Sequence, residues 1–218
     1  NIIDPSTFIK GLLNGDVVIS YISRDIADFG TIYINTYEHN FFNNNCRLKN
    51  SIPILEKIDL VMPGSIVTAG NYVYYISYRD TSNRVIKMDP YTGIKEEILL
   101  PISAKSGISL TADIFGNVYL MGGTNDDVSN FTFYHVRSNN KLFKLNSDNT
   151  FTEIGVDLLK DVNKFIFQFH AAPRYGDKAT KPIGFTLFQT IDNANYDVIN
   201  DQSTYVVDIE KMTVDKKV

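Results

Sequence analysis

The chain has 218 residues, a formal net charge of −4, 44% hydrophobic and 21% charged residues, and one cysteine, Cys46. These values exclude a disordered chain, which buries too little apolar surface, and a disulfide-stapled module, which needs paired thiols. The absence of a basic stripe argues against nucleic acid as a partner, and no apolar run reaches the length of a membrane helix.

The chain opens Asn1-Ile2-Ile3-Asp4 without Met or a signal-peptide pattern, which suits a processed chain or a portion of something longer. Asp4-Pro5-Ser6-Thr7 predicts a short helix, with Asp4 as N-cap, Pro5 at the first helical position and Gly11 as its stop. Strand signals follow at Val17 to Ile22, Thr31 to Tyr37, Tyr72 to Ile76, Val85 to Met88 and Lys95 to Leu100. Tyr and Phe (13 and 14, with no Trp) suit pleated, half-buried surfaces. The Asp89-Pro90-Tyr91-Thr92-Gly93 segment is turn chemistry, because Pro presets one backbone angle and Gly permits a positive one. A second helix is predicted over Val156 to Lys164, ahead of an alternating strand at Phe165 to Phe169.

The segments repeat. Phe29-Gly30-Thr31-Ile32-Tyr33-Ile34 resembles Phe115-Gly116-Asn117-Val118-Tyr119-Leu120, and Ala69-Gly70-Asn71-Tyr72-Val73-Tyr74 is a looser copy. A later element, Asn83 to Asp89 with the returning Lys95 to Ile98, matches Asn140 to Asn146 with Phe151 to Ile154, and again Thr204 to Asp208 with Lys211 to Val214. Units beginning near residues 30, 70, 116 and 184 predict an all-β fold of about four blade-like, four-stranded antiparallel units, a β-propeller or part of one. The whole of 1–218 reads as one such domain, either closing a small ring or forming a portion of a seven- or eight-bladed one.

Thr111-Ala112-Asp113-Ile114-Phe115-Gly116-Asn117-Val118-Tyr119-Leu120 resembles the Asp-x-x-Gly-Asn-x-Tyr strand openings of NHL-like propellers. Val118 to Gly123 is similar to the double-glycine strand of kelch blades, although kelch blades usually carry a Trp. Tyr72 to Ile76, Arg84 to Asp89 and Thr204 to Ile209 resemble bacterial surface propeller lipoproteins of largely unassigned function. That likeness implies an extracellular, cell-surface or periplasmic binding role, with nutrient or siderophore capture as one form of it.

Catalytic signatures such as Gly-x-Ser-x-Gly, a P-loop, His-Glu-x-x-His or Cys-x-x-Cys do not occur. Three segments stand out as candidate binding loops. Asp126 and Asp127, beside Thr124 and Asn125, offer oxygen ligands that could hold Ca²⁺, though they equally suit a solvated turn. His170, Arg174 and Tyr175 combine an imidazole, a guanidinium fit for carboxylate or phosphate, and a stacking ring, in what reads as a loop to residue 178. Glu38 and His39, ahead of an Asn run ending at Cys46, could serve acid–base work or read sugar hydroxyls; the same stretch suits a plain Asn-rich loop. His135 and Arg137 share one face of a strand-like run. The function expected is therefore non-catalytic binding of a small-molecule, glycan or protein ligand; the alternative is an enzyme acting on glycans or another polar substrate. Self-association, or union with the remainder of a larger propeller, is expected of an unclosed arc.

Overall fold

The computed structural model describes residues 8–23, 25–27, 31–40, 42–43, 45–54, 66–77, 84–101, 106–124, 142–154, 170–175, 182–188, 204–208, 211 and 213–217. These form sixteen strands in four antiparallel meanders of four. The first sheet holds β1 (Phe8–Gly11), β2 (Val17–Ile22), β3 (Ile32–Asn40) and β4 (Asn45–Ile54). The second holds β5 (Ile66–Ala69), β6 (Tyr72–Ser77), β7 (Arg84–Met88) and β8 (Lys95–Leu99). The third holds β9 (Ser106–Ala112), β10 (Val118–Thr124), β11 (Leu142–Leu145) and β12 (Phe151–Glu153). The fourth holds β13 (His170–Tyr175), β14 (Pro182–Phe188), β15 (Thr204–Asp208) and β16 (Thr213–Lys217). Contacts between sheets join β1 to β5, β5 to β9 and β9 to β13. The first strand of each meander is thus the inner one, and the sheets stand as successive blades of a β-propeller.

The first three blades are apolar on faces that a neighbouring blade covers. Val18, Ile32, Ile34 and Ile54 of the first blade pack against Val73, Tyr75, Ile86 and Met88 of the second. The opposite face of the second blade, with Tyr74, Ile76, Val85 and Ile98, packs against Leu110, Val118, Leu120 and Phe143 of the third. Consecutive residues of β6 therefore go to different cores: Val73 and Tyr75 to one, Tyr74 and Ile76 to the other. This double burial is why Tyr72 to Ile76 reads as a continuous apolar run rather than an alternating one.

Two sequence expectations are corrected here. The helix predicted from Asp4 to Gly11 does not extend over its second half: residues 8–11 are β1, paired in register with Val17 to Ser20. Residues 1–7 lie outside the described residues, as do Val156 to Lys164 and Phe165 to Phe169. The capping pattern at Asp4 is a local preference, and pairing with β2 overrides it at Phe8. The unit boundaries also shift. Gly70 and Gly116 lie between the first and second strands of their blades, and in the first blade that place belongs to Gly15. The stretch at Gly30 precedes β3, the third strand of its blade, and Gly184 lies within β14. A Gly followed by an alternating strand marks a turn without telling one hairpin of a blade from the next.

Candidate functional site

The turns after the inner strands of the first three blades converge. In the first, the Leu12 amide donates to the Asp16 carbonyl (2.8 Å) and Gly15 donates back to Leu12 (3.0 Å). In the third, the Asp113 amide donates to the Asn117 carbonyl (3.0 Å) and the Gly116 amide donates back to the Asp113 carbonyl (3.2 Å). The second blade uses a two-residue turn, Gly70-Asn71, with Ala69 facing Tyr72. These turns touch. The Leu13 amide donates to the Gly70 carbonyl (2.8 Å), and the Asn14 amide donates to Asn71 Oδ1 (3.1 Å). The Thr68 hydroxyl donates to the Gly11 carbonyl at 3.0 Å.

Gly116 adopts φ +83°, and a Cβ there would lie 3.2 Å from the Gly70 amide nitrogen. Gly70 itself, at φ +60°, has open space where its Cβ would be. Gly116→Ala is therefore expected to lose about 1–3 kcal/mol, and more than Gly70→Ala, which meets only the backbone penalty. Urea midpoints of the two variants at constant m value check this; equal losses would show that the approach of the two turns costs nothing.

Between these turns lies a cleft of about 620 Å³. Lys10 and Leu13 line it from the first blade, Thr68 and Gly70 from the second, Ile114 and Phe115 from the third. Leu13, Ile114 and Phe115 are exposed, an unusual choice for residues at the tips of tight turns. The shape of the third turn is set by Asp113, which is buried. Its carboxylate accepts from the Phe115 amide (2.9 Å), the Asn117 amide (2.8 Å), Asn117 Nδ2 (2.7 Å) and the Tyr119 hydroxyl (3.0 Å). The Asp-x-x-Gly-Asn-x-Tyr pattern is thus one hydrogen-bonding unit. Asp accepts, Asn and Tyr donate, and Gly supplies the backbone angle.

A polar cluster lies beside the first turn and joins the first blade to the second. The buried Asp16 carboxylate accepts from Lys49 Nζ (3.1 Å), Asn14 Nδ2 (3.4 Å) and the Tyr91 hydroxyl. Tyr91 comes from the β7–β8 turn, where Asp89 Oδ1 accepts its amide at 2.8 Å and Gly93 takes φ +74°. The Thr36 hydroxyl donates to the Pro90 carbonyl (3.0 Å), and Asn50 Nδ2 donates to the Tyr91 carbonyl. Lys49 also lies 5.6 Å from the Tyr91 ring centroid. Burial works to raise the Asp16 pKa, but hydrogen bonds from Tyr91, Lys49 and Asn14, with the Lys49 charge, outweigh it and hold the carboxyl below its ordinary value.

Of the residues singled out from sequence, Glu38 and His39 lie in the first sheet, and His170, Arg174 and Tyr175 lie in the fourth. Glu38 and His39 are consecutive in β3, half-buried, and so project to opposite faces. Glu38 pairs with Arg47 at 2.7 Å and lies 3.8 Å from Lys49, at the margin of the Asp16 cluster. Their loop reading is corrected: β3 and β4 form a long hairpin in which His39 faces Cys46, an exposed thiol. His170, Arg174 and Tyr175 likewise lie in a strand, β13, and not in a loop. Pro173 fits within this strand because β13 is the inner edge of its sheet and pairs only with β14, so one row of its amides needs no ladder partner. A register shift falls between Arg174 and Tyr175. Asp126, Asp127, His135 and Arg137 lie outside the described residues, and with them the Ca²⁺ reading. Among the described residues, no group of three His, Cys, Asp or Glu is placed to hold a metal. Sequence reasoning missed Lys10, Leu13, Asp16, Lys49 and Tyr91. Apolar side chains at turn tips were the one signal that could have found the cleft.

No protein-family model matches the chain, and no curated protein matches it. Solved structures do. TolB from Acinetobacter baumannii is similar over 91% of this chain, at 8% identity and a TM-score of 0.50. Cobalt-substituted ACO from Synechocystis is similar over 97%, at 10% identity and a TM-score of 0.51. At such identities the likeness speaks for the propeller fold alone. The chain spans 40% of the TolB chain and 49% of the ACO chain.

Proposed function

We propose that this propeller arc is a non-catalytic binding scaffold. On this reading the cleft between the three inner turns receives an apolar group of a small-molecule or protein ligand. The observation that carries the reading is the cleft itself. Its volume falls within the usual range for ligand sites, roughly 300–1,000 Å³. Its rim exposes Leu13, Ile114 and Phe115 on turns held rigid by backbone hydrogen bonds. Lys10 adds a cation at one side, so an apolar ligand bearing an acid group suits it best. The lining carboxylate, Asp113, has its oxygens committed to the turn, which favours binding over acid–base work there. The location proposed with this role is extracellular, cell-surface or periplasmic, on the sequence likeness to bacterial surface propeller lipoproteins. No helix among the described residues is long and apolar enough to cross a membrane.

The probe for this site is anilinonaphthalene sulfonate, an aromatic dye with one negative charge. Titration followed by its fluorescence is expected to show saturable binding to the folded protein. Phe115→Ser is expected to weaken it about tenfold, the worth of one lost aromatic contact. Lys10→Glu is expected to weaken it further still, by replacing attraction with repulsion. Binding that both variants leave intact would remove the cleft from consideration.

A further inference from the structure

Backbone groups of three inner strands face the cleft in a fixed phase. Along an antiparallel pair, residues that bond each other alternate with residues whose N–H and C=O point away from the partner strand. In the third blade the Asp113 amide bonds the Asn117 carbonyl, so Ala112, paired with Val118 one step on, turns its N–H and C=O away from β10. The bond from Leu12 to Asp16 does the same for Gly11, paired with Val17. The two-residue turn closed by Ala69 and Tyr72 does it for Thr68, paired with Val73. β1, β5 and β9 are edge strands of their sheets, and Gly11, Thr68 and Ala112 all line the cleft. The three edges differ. The Gly11 carbonyl accepts from the Thr68 hydroxyl, which ties β1 to β5 at this level. Ala112 has no such tie among the described residues, and the exposed Ile114 and Phe115 follow it on the same turn.

We propose that the cleft takes an extended peptide segment ending in a free carboxylate, a proposal that rests on the reading of the cleft as a binding site. One peptide residue pairs through its own N–H and C=O with Ala112, as an added partner at the inner edge of β9. Apolar side chains of the peptide meet Leu13 and Phe115, and its carboxylate meets Lys10. The edge is what favours a peptide over an apolar acid without amides. An alkyl chain laid across Ala112 would cover a donor and an acceptor and satisfy neither, which works against binding. A peptide residue carries the complementary pair at the same spacing. The sheet itself does not need that donor: the inner strand of the fourth blade, β13, holds Pro173, which has no N–H. Lys10 supplies the charge that a terminal carboxylate complements.

The test is displacement of anilinonaphthalene sulfonate by the peptide acetyl-Thr-Val-Thr-Val-Leu with a free carboxyl end, titrated to about 10 mM, well above a millimolar Kd. Saturable displacement is expected. Forms of the peptide N-methylated at one residue each are expected to differ in alternation: one position weakens displacement about tenfold, the worth of one hydrogen bond, and its neighbours change it less than about twofold. The C-terminal amide is expected to be roughly threefold weaker than the acid, a difference that vanishes in Lys10→Gln. Ala112→Pro removes the edge donor without touching the ladder to β10, and is expected to weaken the peptide about tenfold. The methylated series reads the same edge without any change to the protein, so it decides the matter if Ala112→Pro alters the circular dichroism spectrum. Dye binding that responds to Phe115→Ser while the peptide fails to displace it would overturn the peptide and leave the cleft a binding site. So would decanoate displacing the dye as well as the peptide does, with methylation indifferent at every position. Dye binding that ignores both Phe115→Ser and Lys10→Glu would overturn the cleft and the peptide together.

Discussion

Asp113→Ala is expected to cost about 3–5 kcal/mol, and with it the order of the cleft rim. The carboxylate serves four donors within six residues, and the charge strengthens each bond over a neutral pair. Removing the carboxylate leaves four donors unserved at once in a part-buried turn, so the loss exceeds the ordinary net worth of roughly 1 kcal/mol for a single hydrogen bond. Asp113→Asn keeps the shape but offers one acceptor where there were two, and the new amide confronts Asn117 Nδ2. About half the loss is expected for it. Urea unfolding of the two variants at constant m value measures both. The same turn carries Ile114 and Phe115, so Asp113→Asn is also expected to weaken dye binding by loosening the rim. A loss below about 1 kcal/mol in Asp113→Ala would show that the turn holds its shape through Gly116 and the backbone pair alone.

That turn was also the most legible part of the sequence, and the reason is physical. Asp, Gly, Asn and Tyr at fixed offsets form a closed local circuit, so their order in the chain records their bonding. The same holds at Asp89 to Gly93, where the side chain at one end accepts amides two and three residues on. Strands flanked by such turns, β2, β6, β7 and β8, could be read directly. By contrast β1 and β4 were not, for lack of alternation: Asn45 to Ile54 is polar over half its length because β4 is the outer edge of its blade. The long-range pairs were beyond reach altogether. Asp16 meets Lys49 across the hairpin and Tyr91 across the blade boundary, separations of 33 and 75 residues that only the stacking of blades closes. Arg174 and Tyr175 misled in the opposite sense. A chain of polar residues around a proline suits a loop, yet an edge strand tolerates the same composition because its outer amides need no partner.

The Asp16 cluster makes the second large effect, and it depends on pH. The folded-state pKa of Asp16 lies below its ordinary value of 3.8, so the folded protein binds that proton more weakly than the unfolded chain. Its contribution to stability is therefore fully present above about pH 5 and drains away as pH falls through 3.8 and on through the depressed folded value. The other two members act at the opposite end. Hydrogen bonding to Asp16 raises the Lys49 pKa above 10.5, and burial is the chief cause that raises the Tyr91 hydroxyl above 10.0. Both contributions are complete below those ordinary values and are lost as pH rises through the raised ones. The cluster thus adds a plateau across neutral pH with an acid limb that belongs to Asp16. Asp16→Asn keeps the volume and removes the charge that Lys49 and Tyr91 address, so it is expected to cost about 2–4 kcal/mol at pH 7. The difference from the unaltered protein should then shrink steadily as pH falls below 5 and on through the depressed folded value, beneath which the native carboxylate is itself protonated. Thermal unfolding of the two proteins across that range provides the measurement. A difference that stays constant with pH would mean that Asp16 holds the blades together by shape and not by charge. Were the blade boundary independent of the cluster, the variant would match the unaltered protein at every pH, and the polar contacts from Asn14 to Tyr91 would be decoration on an interface already closed by Val18, Ile34, Tyr75 and Met88.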